Sequence, residues 1–514
     1  MKSLGQTAIL LISFSLLVGC NNANVNMSGF KSFSVSSVFP SNWIQLWTVQ
    51  DGGITGSFTV MSVVTDSSGN IYATGHASAG LDGNTSKQGF FISKYNANKV
   101  LQWTVVDGAT LTYGSSIAVD SSNNVYVAGY TGAGLDGNTL HGNTDGFLTK
   151  YDSSGNRLWT QEYGAASGGG GGNLITYGLG VAVDPTSSYV YVTGYTATPL
   201  SGQSMHGNQD LYISQFKTTS GLSTWTVQDG ASGGNTSGHG IAVDPSGYIY
   251  VVGVTNAAID GLQSYGLNDY FLTKYDSSHT LQWTIEDGAS ETANTLGSIA
   301  TASGAVGSVS GLLANASMSD TTAQNSNTVE SRILPTLPTI IPDASASTYG
   351  NGIAIDSSGN IFITGMISAP ITTSAVYLDG QSVNQTSSFF ISGYDSSGTI
   401  HWTTVDGPAA DGASIDAQAI AVDAVGGVYV TGQTTSSIDG QPHLGYQDLF
   451  ITKYNSNGNY QWTVDDGAGA GSSVSCYAIT VDSSGYVYVA GGVSSGSLDG
   501  QSQHGYYDLF LSKY

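Results

Sequence analysis

Eight histidines, 36 acidic side chains and two cysteines are the reactive groups of this 514-residue sequence, and most of them recur at fixed spacing. His141, His206, His443 and His504 each stand four or five residues after an Asp-Gly or Ser-Gly pair. Imidazole beside carboxylate is a donor set for zinc, so these four are the first candidates for ligand chemistry. The Asp-Gly pairs supply Asp82, Asp136, Asp260, Asp379, Asp439 and Asp499, with Ser201 in the seventh copy. A second set, Asp51, Asp107, Asp229, Asp287, Asp406 and Asp466, has Tyr163 as its exception, and a third comprises Asp145, Asp210, Asp269, Asp448 and Asp508. Such dispersal gives many possible carboxylate pairs and singles out none for acid–base work on a glycoside. Ser, Asp and Gly are too common to isolate a nucleophile with its base. No glycine-rich loop leads into a helix that could hold phosphate. Lys94, Lys150, Lys274, Lys453 and Lys513 recur beside repeat aspartates and are expected to be structural. The expectation is no catalytic site, no cofactor and no bound metal.

The elements that carry these residues repeat as well. Four phrases recur in fixed order: an apolar run ending in Asp (Ile117 to Asp120), an alternating strand (Val125 to Gly129), Phe147 to Tyr151, and Leu158-Trp159-Thr160. The closing Asp of the first phrase occurs at Asp66, Asp120, Asp184, Asp244, Asp356, Asp423 and Asp482. The third phrase closes seven times on Tyr or Phe, and seven of the eight tryptophans fall in the fourth. Only 9% of residues are charged while Val, Ile, Thr, Tyr and Phe abound, which suits half-buried strands. Four strands per repeat, seven times over, predicts an all-β, seven-bladed β-propeller with four antiparallel strands per blade. The chain enters with a fourth-phrase strand at Leu46–Val49 and stops at Tyr514, the end of a third phrase. The N-terminal strand is therefore expected to complete the last blade and remove an exposed sheet edge. Small residues in the first phrase, among them Ala118, Ala182 and Ala421, place that strand at the axis, and Trp at the rim.

In such a meander the tight Asp-Ser-Ser-Gly-Asn connections occupy one face and the longer connections the other. The longer ones carry the Asp-Gly pairs and the four histidines, so this acidic, loop-rich face is where ligand contact is expected. Equivalent positions on adjacent blades lie on the order of 10 Å apart, from a radius of two to three strand spacings. A zinc ligand sits about 2 Å from its metal, so histidines of different blades are not expected to share an ion. Residues 290–347, rich in Ser, Ala, Thr and Gly, lack the turn and the Trp and read as a mobile loop insertion. Cys476 reads as a small residue packed in a strand, with no disulfide partner.

Asp356 to Gly365 and Asp448 to Tyr454 resemble the SBBP bacterial β-propeller repeat, whose pattern is approximately D-x-x-G-N-x-Y-V-x-G followed by D-x-F-x-x-K-Y and W. That resemblance spans about Leu46 to Tyr514 and implies a propeller and export, with no agreed activity. Lys2 followed by the apolar run Ala8 to Val18 is too short for a comfortable membrane span and fits a signal peptide. Leu17-Val18-Gly19-Cys20 resembles the bacterial lipobox, which implies cleavage before Cys20 and lipid on its thiol. The resulting organisation is residues 1–19 as lipoprotein signal peptide, 20–43 as lipidated Cys and flexible tether, and 44–514 as propeller. Asn21 and Asn22 take the place of an inner-membrane retention Asp, favouring the outer membrane or cell surface. A formal charge of −24 opposes nucleic acid and anionic lipid. The expected function is a monomeric, lipid-anchored, non-catalytic binding module for a protein or polysaccharide. An envelope scaffold, or a propeller hydrolase, lyase or quinone-dependent enzyme, is the alternative.

Overall fold

The structure is a computed structural model that describes residues 45–53, 56–81, 87–164, 174–291, 298–301, 306–308, 345–370, 375–383, 385–410 and 412–514. The signal peptide, Cys20, the tether, Asp82, the glycine run 168–172 and most of the insertion lie outside the described residues. No helix among the described residues is long and apolar enough to cross a membrane.

The chain forms seven antiparallel sheets of four propeller strands each. Blades 1 to 6 occupy residues 58–107, 112–163, 176–229, 236–287, 347–406 and 415–466. Blade 7 takes three strands from residues 473–513, and its fourth is Trp47–Asp51. That strand runs antiparallel to Tyr507–Lys513, from Trp47 opposite Lys513 to Asp51 opposite Leu509. The ring is closed as the phase of the repeats predicts. Leu509, Leu511, Tyr488 and Ala490 of blade 7 pack on Phe58, Val60 and Phe91 of blade 1 in one buried cluster, so closure buries apolar surface as well as pairing an edge. The core lies between blades. Tyr72, Phe90 and Ile92 of blade 1, for example, interdigitate with Ile117, Val125 and Phe147 of blade 2.

The insertion differs in part from a loop. Ser298–Thr301 and Val306–Ser308 are strands that extend the blade 4 sheet beyond Leu281–Asp287, giving it six strands. Thr301 lies opposite Trp283: the outer edge of a blade offers unpaired backbone groups, and a Ser/Ala/Val-rich segment tethered beside it can satisfy them. Low periodicity in the sequence hid this pairing because both strands are short.

Every inner strand carries a β-bulge at the same place. The register against the second strand slips at Met61, Ser115, Leu179, His239, Asn351, Gln418 and Tyr477. The glycine that closes each second phrase accommodates it. A Cβ on Gly75, Gly129, Gly194, Gly253, Gly365, Gly432 or Gly491 would fall 1.7 to 1.9 Å from a carbonyl oxygen of the bulged strand. The Gly of the repeat thus allows close backbone approach, and the bulge re-aims one side chain per blade.

Candidate functional site

The Asp-Gly pairs make tight turns. Asp136, Asp260, Asp379, Asp439 and Asp499, like Ser201, have φ between +48° and +57°, and the following glycine is also positive. The preceding Leu or Ile is buried against its blade, as at Leu135, Ile259, Leu378, Ile438 and Leu498. The carboxylates fold outward onto the fourth strand. Thr48 Oγ1 donates to Asp499 at 2.6 Å and Thr403 Oγ1 to Asp379 at 2.5 Å, and Thr160 and Thr463 donate in the same way to Asp136 and Asp439. These aspartates stay on their own blades near the rim and do not converge on one site.

At the blade junctions they meet the second aspartate set. Arg157 ties Asp107 of blade 1 to Asp136 of blade 2. The equivalent pairs Asp229–Asp260, Asp287–Asp379 and Asp406–Asp439 have no cation between them among the described residues. Burial, and then the facing carboxylate, pushes Asp229 and Asp406 up to about 6 and Asp287 well above the carboxylate range. Tyr151, Tyr275, Tyr454 and Tyr514 donate their hydroxyls to the first member of the pair at 2.8 to 3.3 Å. Between blades 2 and 3 the three positions are Tyr163, Ser201 and Phe216, so carboxylates and hydroxyl donor are replaced as a unit. Tyr163 and Phe216 rings pack 5.4 Å apart there instead.

The third aspartate set anchors the loops that hold the histidines. Asp145, Asp210, Asp269, Asp448 and Asp508 are fully buried. Each accepts two successive loop amides, such as His206 N at 2.8 Å and Gly207 N at 2.8 Å on Asp210. On the fourth strand beside them stands Gln50, Glu162, Gln228, Glu286 or Asp465. Gln228 and Gln50 donate Nε2 to Asp210 and Asp508 at 2.9 and 3.0 Å, while their Oε1 accepts Leu200 N and Leu498 N. Glu162 and Glu286 accept Leu135 N and Ile259 N in the same way at 2.8 and 2.9 Å. Each faces a buried carboxylate where glutamine places its amide. Burial first, then that neighbour, raises both, Glu286 to about 9. At Glu286 a protonated glutamic acid is the donor that substitutes for glutamine. His141, His206, His443 and His504 each remain with the aspartate of their own blade.

The recurrent lysines are structural. Lys150 Nζ lies 5.0 Å from the Tyr126 ring and donates to Thr218 O of the next blade at 3.0 Å. Tyr126 in turn donates to the turn residue Asp120 at 2.9 Å. Blade 5 has Gly393 for the lysine and Phe362 for the tyrosine, losing both ends together. Cys476 is buried in an inner strand, its thiol pushed up to about 11 by burial.

The feature that sequence reasoning missed is the axis. Six bulge residues, Met61, Ser115, Leu179, His239, Asn351 and Gln418, line a cavity of about 530 Å³ together with Thr59, His76, Tyr113 and Tyr130. These lie in the first half of inner strands and the last half of second strands, on the side of the long loops. The bulge turns this one variable position toward the axis. A row of rings extends from its wall: His76 to Tyr113 at 4.1 Å, Tyr113 to Tyr130 at 4.9 Å, then beyond the lining Tyr130 to Tyr177 at 4.3 Å and Tyr177 to Tyr195 at 4.8 Å. His76 Nδ1 and His239 Nδ1 face Thr112 O and Gly350 O at 3.1 and 3.0 Å. Carbonyl partners require the proton on Nδ1, and burial lowers both imidazoles. Asp416, held up by burial, is gripped by Asn351, Gln418 and Gln433.

The SBBP beta-propeller repeat family matches four segments of the chain, residues 106–136, 224–259, 339–371 and 407–439. No curated protein sequence matches it. Among solved structures, the quinohemoprotein alcohol dehydrogenase of Comamonas testosteroni is similar at 10% identity and a TM-score of 0.38, over 91% of this chain and 76% of that one. A mitotic checkpoint complex structure is similar at 10% identity and a TM-score of 0.45, over 96% and 99%. Likenesses this loose carry no functional argument.

Proposed function

We propose that this propeller of SBBP repeats is an exported, lipid-anchored binding module that takes a polysaccharide segment into its axial cavity from the loop-rich face. The observation that carries it is the bulge ring. Turn aspartates, tyrosines, lysines and tryptophans repeat almost unchanged, whereas the axial position is different in all seven blades. Scaffold positions repeat because blade packing repeats, and six distinct residues facing one cavity suit a ligand without sevenfold symmetry. Tyrosine faces beside Asn351, Gln418 and two imidazoles match a ligand with apolar CH faces and many hydroxyls. Cys20, through its lipobox resemblance, would hold the disc at the outer membrane or cell surface.

A glycan array probed with the purified protein tests this reading. Tyr130→Ala and Gln418→Ala should each weaken any hit by about tenfold, near 1.4 kcal/mol. A hit indifferent to both substitutions refutes it. The same break in symmetry also supports a second reading, a propeller hydrolase or lyase acting in this cavity. Release of new reducing ends from a bound glycan would establish that reading instead.

A further inference from the structure

Blade 6 departs from its sisters twice at one spot. In blades 2, 3 and 7 the loop histidine precedes the anchoring aspartate by four residues (His141, His206, His504), and its side chain is 41 to 48% exposed. In blade 6 it precedes by five. Leu444 N takes over the bond to Asp448, and the His443 ring turns inward to 17% exposure. Its Nδ1 lies 3.1 Å from Asp448 Oδ2 and 3.7 Å from Asp465 Oδ2. Asp465 stands where blades 2, 3, 4 and 7 have Gln or Glu, and no bond reaches from it to Ile438 N as its longer counterparts reach theirs. Both Asp465 oxygens and both His443 ring nitrogens lack hydrogen-bond partners, although the Asp465 side chain is 0% exposed. Two enclosed carboxylates side by side require a proton or a cation between them, and here an imidazole faces both.

We propose that His443, Asp448 and Asp465 bind one zinc-type divalent ion within blade 6. Their donor atoms all lie within 4.8 Å of one another. Ligands about 2.0–2.2 Å from a tetrahedral zinc are roughly 3.3–3.5 Å apart, which matches the spacings around Nδ1. Two carboxylates and a neutral imidazole balance the ion's charge. Imidazole argues against calcium or magnesium, which take oxygen ligands. Three protein ligands leave a fourth position for water or a donor from a bound molecule. Gly445 N, donating to Asp448 Oδ1 at 2.8 Å, orients that ligand from behind. The cluster His141, Asp145 and Glu162 of blade 2 is an internal control. Its Glu162 is committed to Leu135 N, and its histidine stays at 41% exposure on Asp145 alone.

Calorimetric titration of the chelator-treated full chain with zinc chloride, and cobalt(II) absorption as a spectroscopic readout, tests the proposal. One equivalent should bind with micromolar or tighter affinity, cobalt should give tetrahedral visible bands, and zinc should raise the thermal midpoint. Asp465→Gln installs the residue of blades 3 and 7, so it should fold normally yet lose at least tenfold in affinity together with the cobalt bands. His141→Ala should change neither. Absence of stoichiometric binding, or binding unaffected by Asp465→Gln, overturns the site.

Discussion

Acidic pairs at the blade junctions should make this propeller most stable in mild acid. Asp229 and Asp406 are each pushed up to about 6 by burial and a facing carboxylate, against about 3.9 in an unfolded chain. A folded-state value above the unfolded one means that the native state holds the extra proton. Stability from that proton is complete below pH 4 and is lost as pH rises through about 6. Two units at 1.36 kcal/mol each give about 3 kcal/mol per junction. The turn aspartates work oppositely. Asp66 and Asp423 are held below the carboxylate range by backbone amides and side-chain donors that outweigh burial, so their contribution is lost on further acidification below pH 4. Urea denaturation should therefore show a stability maximum near pH 4–5 and a decline of several kcal/mol by pH 7.5. Arg157 supplies the control. Arg157→Leu, which copies Leu101 and Leu281 of blades 1 and 4, removes the guanidinium between Asp107 and Asp136. At pH 8 it should cost about 1–2 kcal/mol, discounted because the arginine is 39% exposed. At pH 4.5 it should cost almost nothing, because a shared proton then replaces the cation. An equal cost at both pH values, or a flat profile between pH 4.5 and 7.5, refutes the reasoning.

Two further outcomes test closure and the bulge. Val49→Pro removes a ladder donor from the closing strand, and should expose the Tyr507–Lys513 edge, seen as dimers in light scattering and proteolysis within blades 7 and 1. Val105→Pro, its counterpart in blade 1, should destabilise without opening the ring. Gly253→Ala would place a Cβ 1.9 Å from Ser237 O; it should cost about 2–3 kcal/mol, lowering the urea midpoint at constant m value. A neutral result would mean that the bulge relaxes freely.

Much of this architecture could be read from the residues because repetition converts one chain into seven internal copies. The out-of-phase ends, Leu46–Val49 and Lys513-Tyr514, specified the closing strand, and the Asp-Ser-Ser-Gly-Asn turns and the lysine over tyrosine followed from local chemistry. The axial cavity was not legible by the same route, since repetition draws the eye to what recurs. A period-2 reading of Thr112 to Val119 assigns Ser115 and Ser116 to opposite faces; the bulge breaks that alternation, and its trace in the sequence is the glycine seven times opposite it. The acidic junctions were visible as two separate aspartate sets, but not as pairs, because members of a pair come from different blades. Their joint replacement at Tyr163, Ser201 and Phe216 was the available sign of contact. Positions that recur report blade packing, positions that change together report contact between blades, and the position that never repeats lines the axial cavity in six blades, from Met61 to Gln418. On that logic the departure of His443 and Asp465 from their sister positions marks a local chemistry that sets this loop apart from those of His141, His206 and His504.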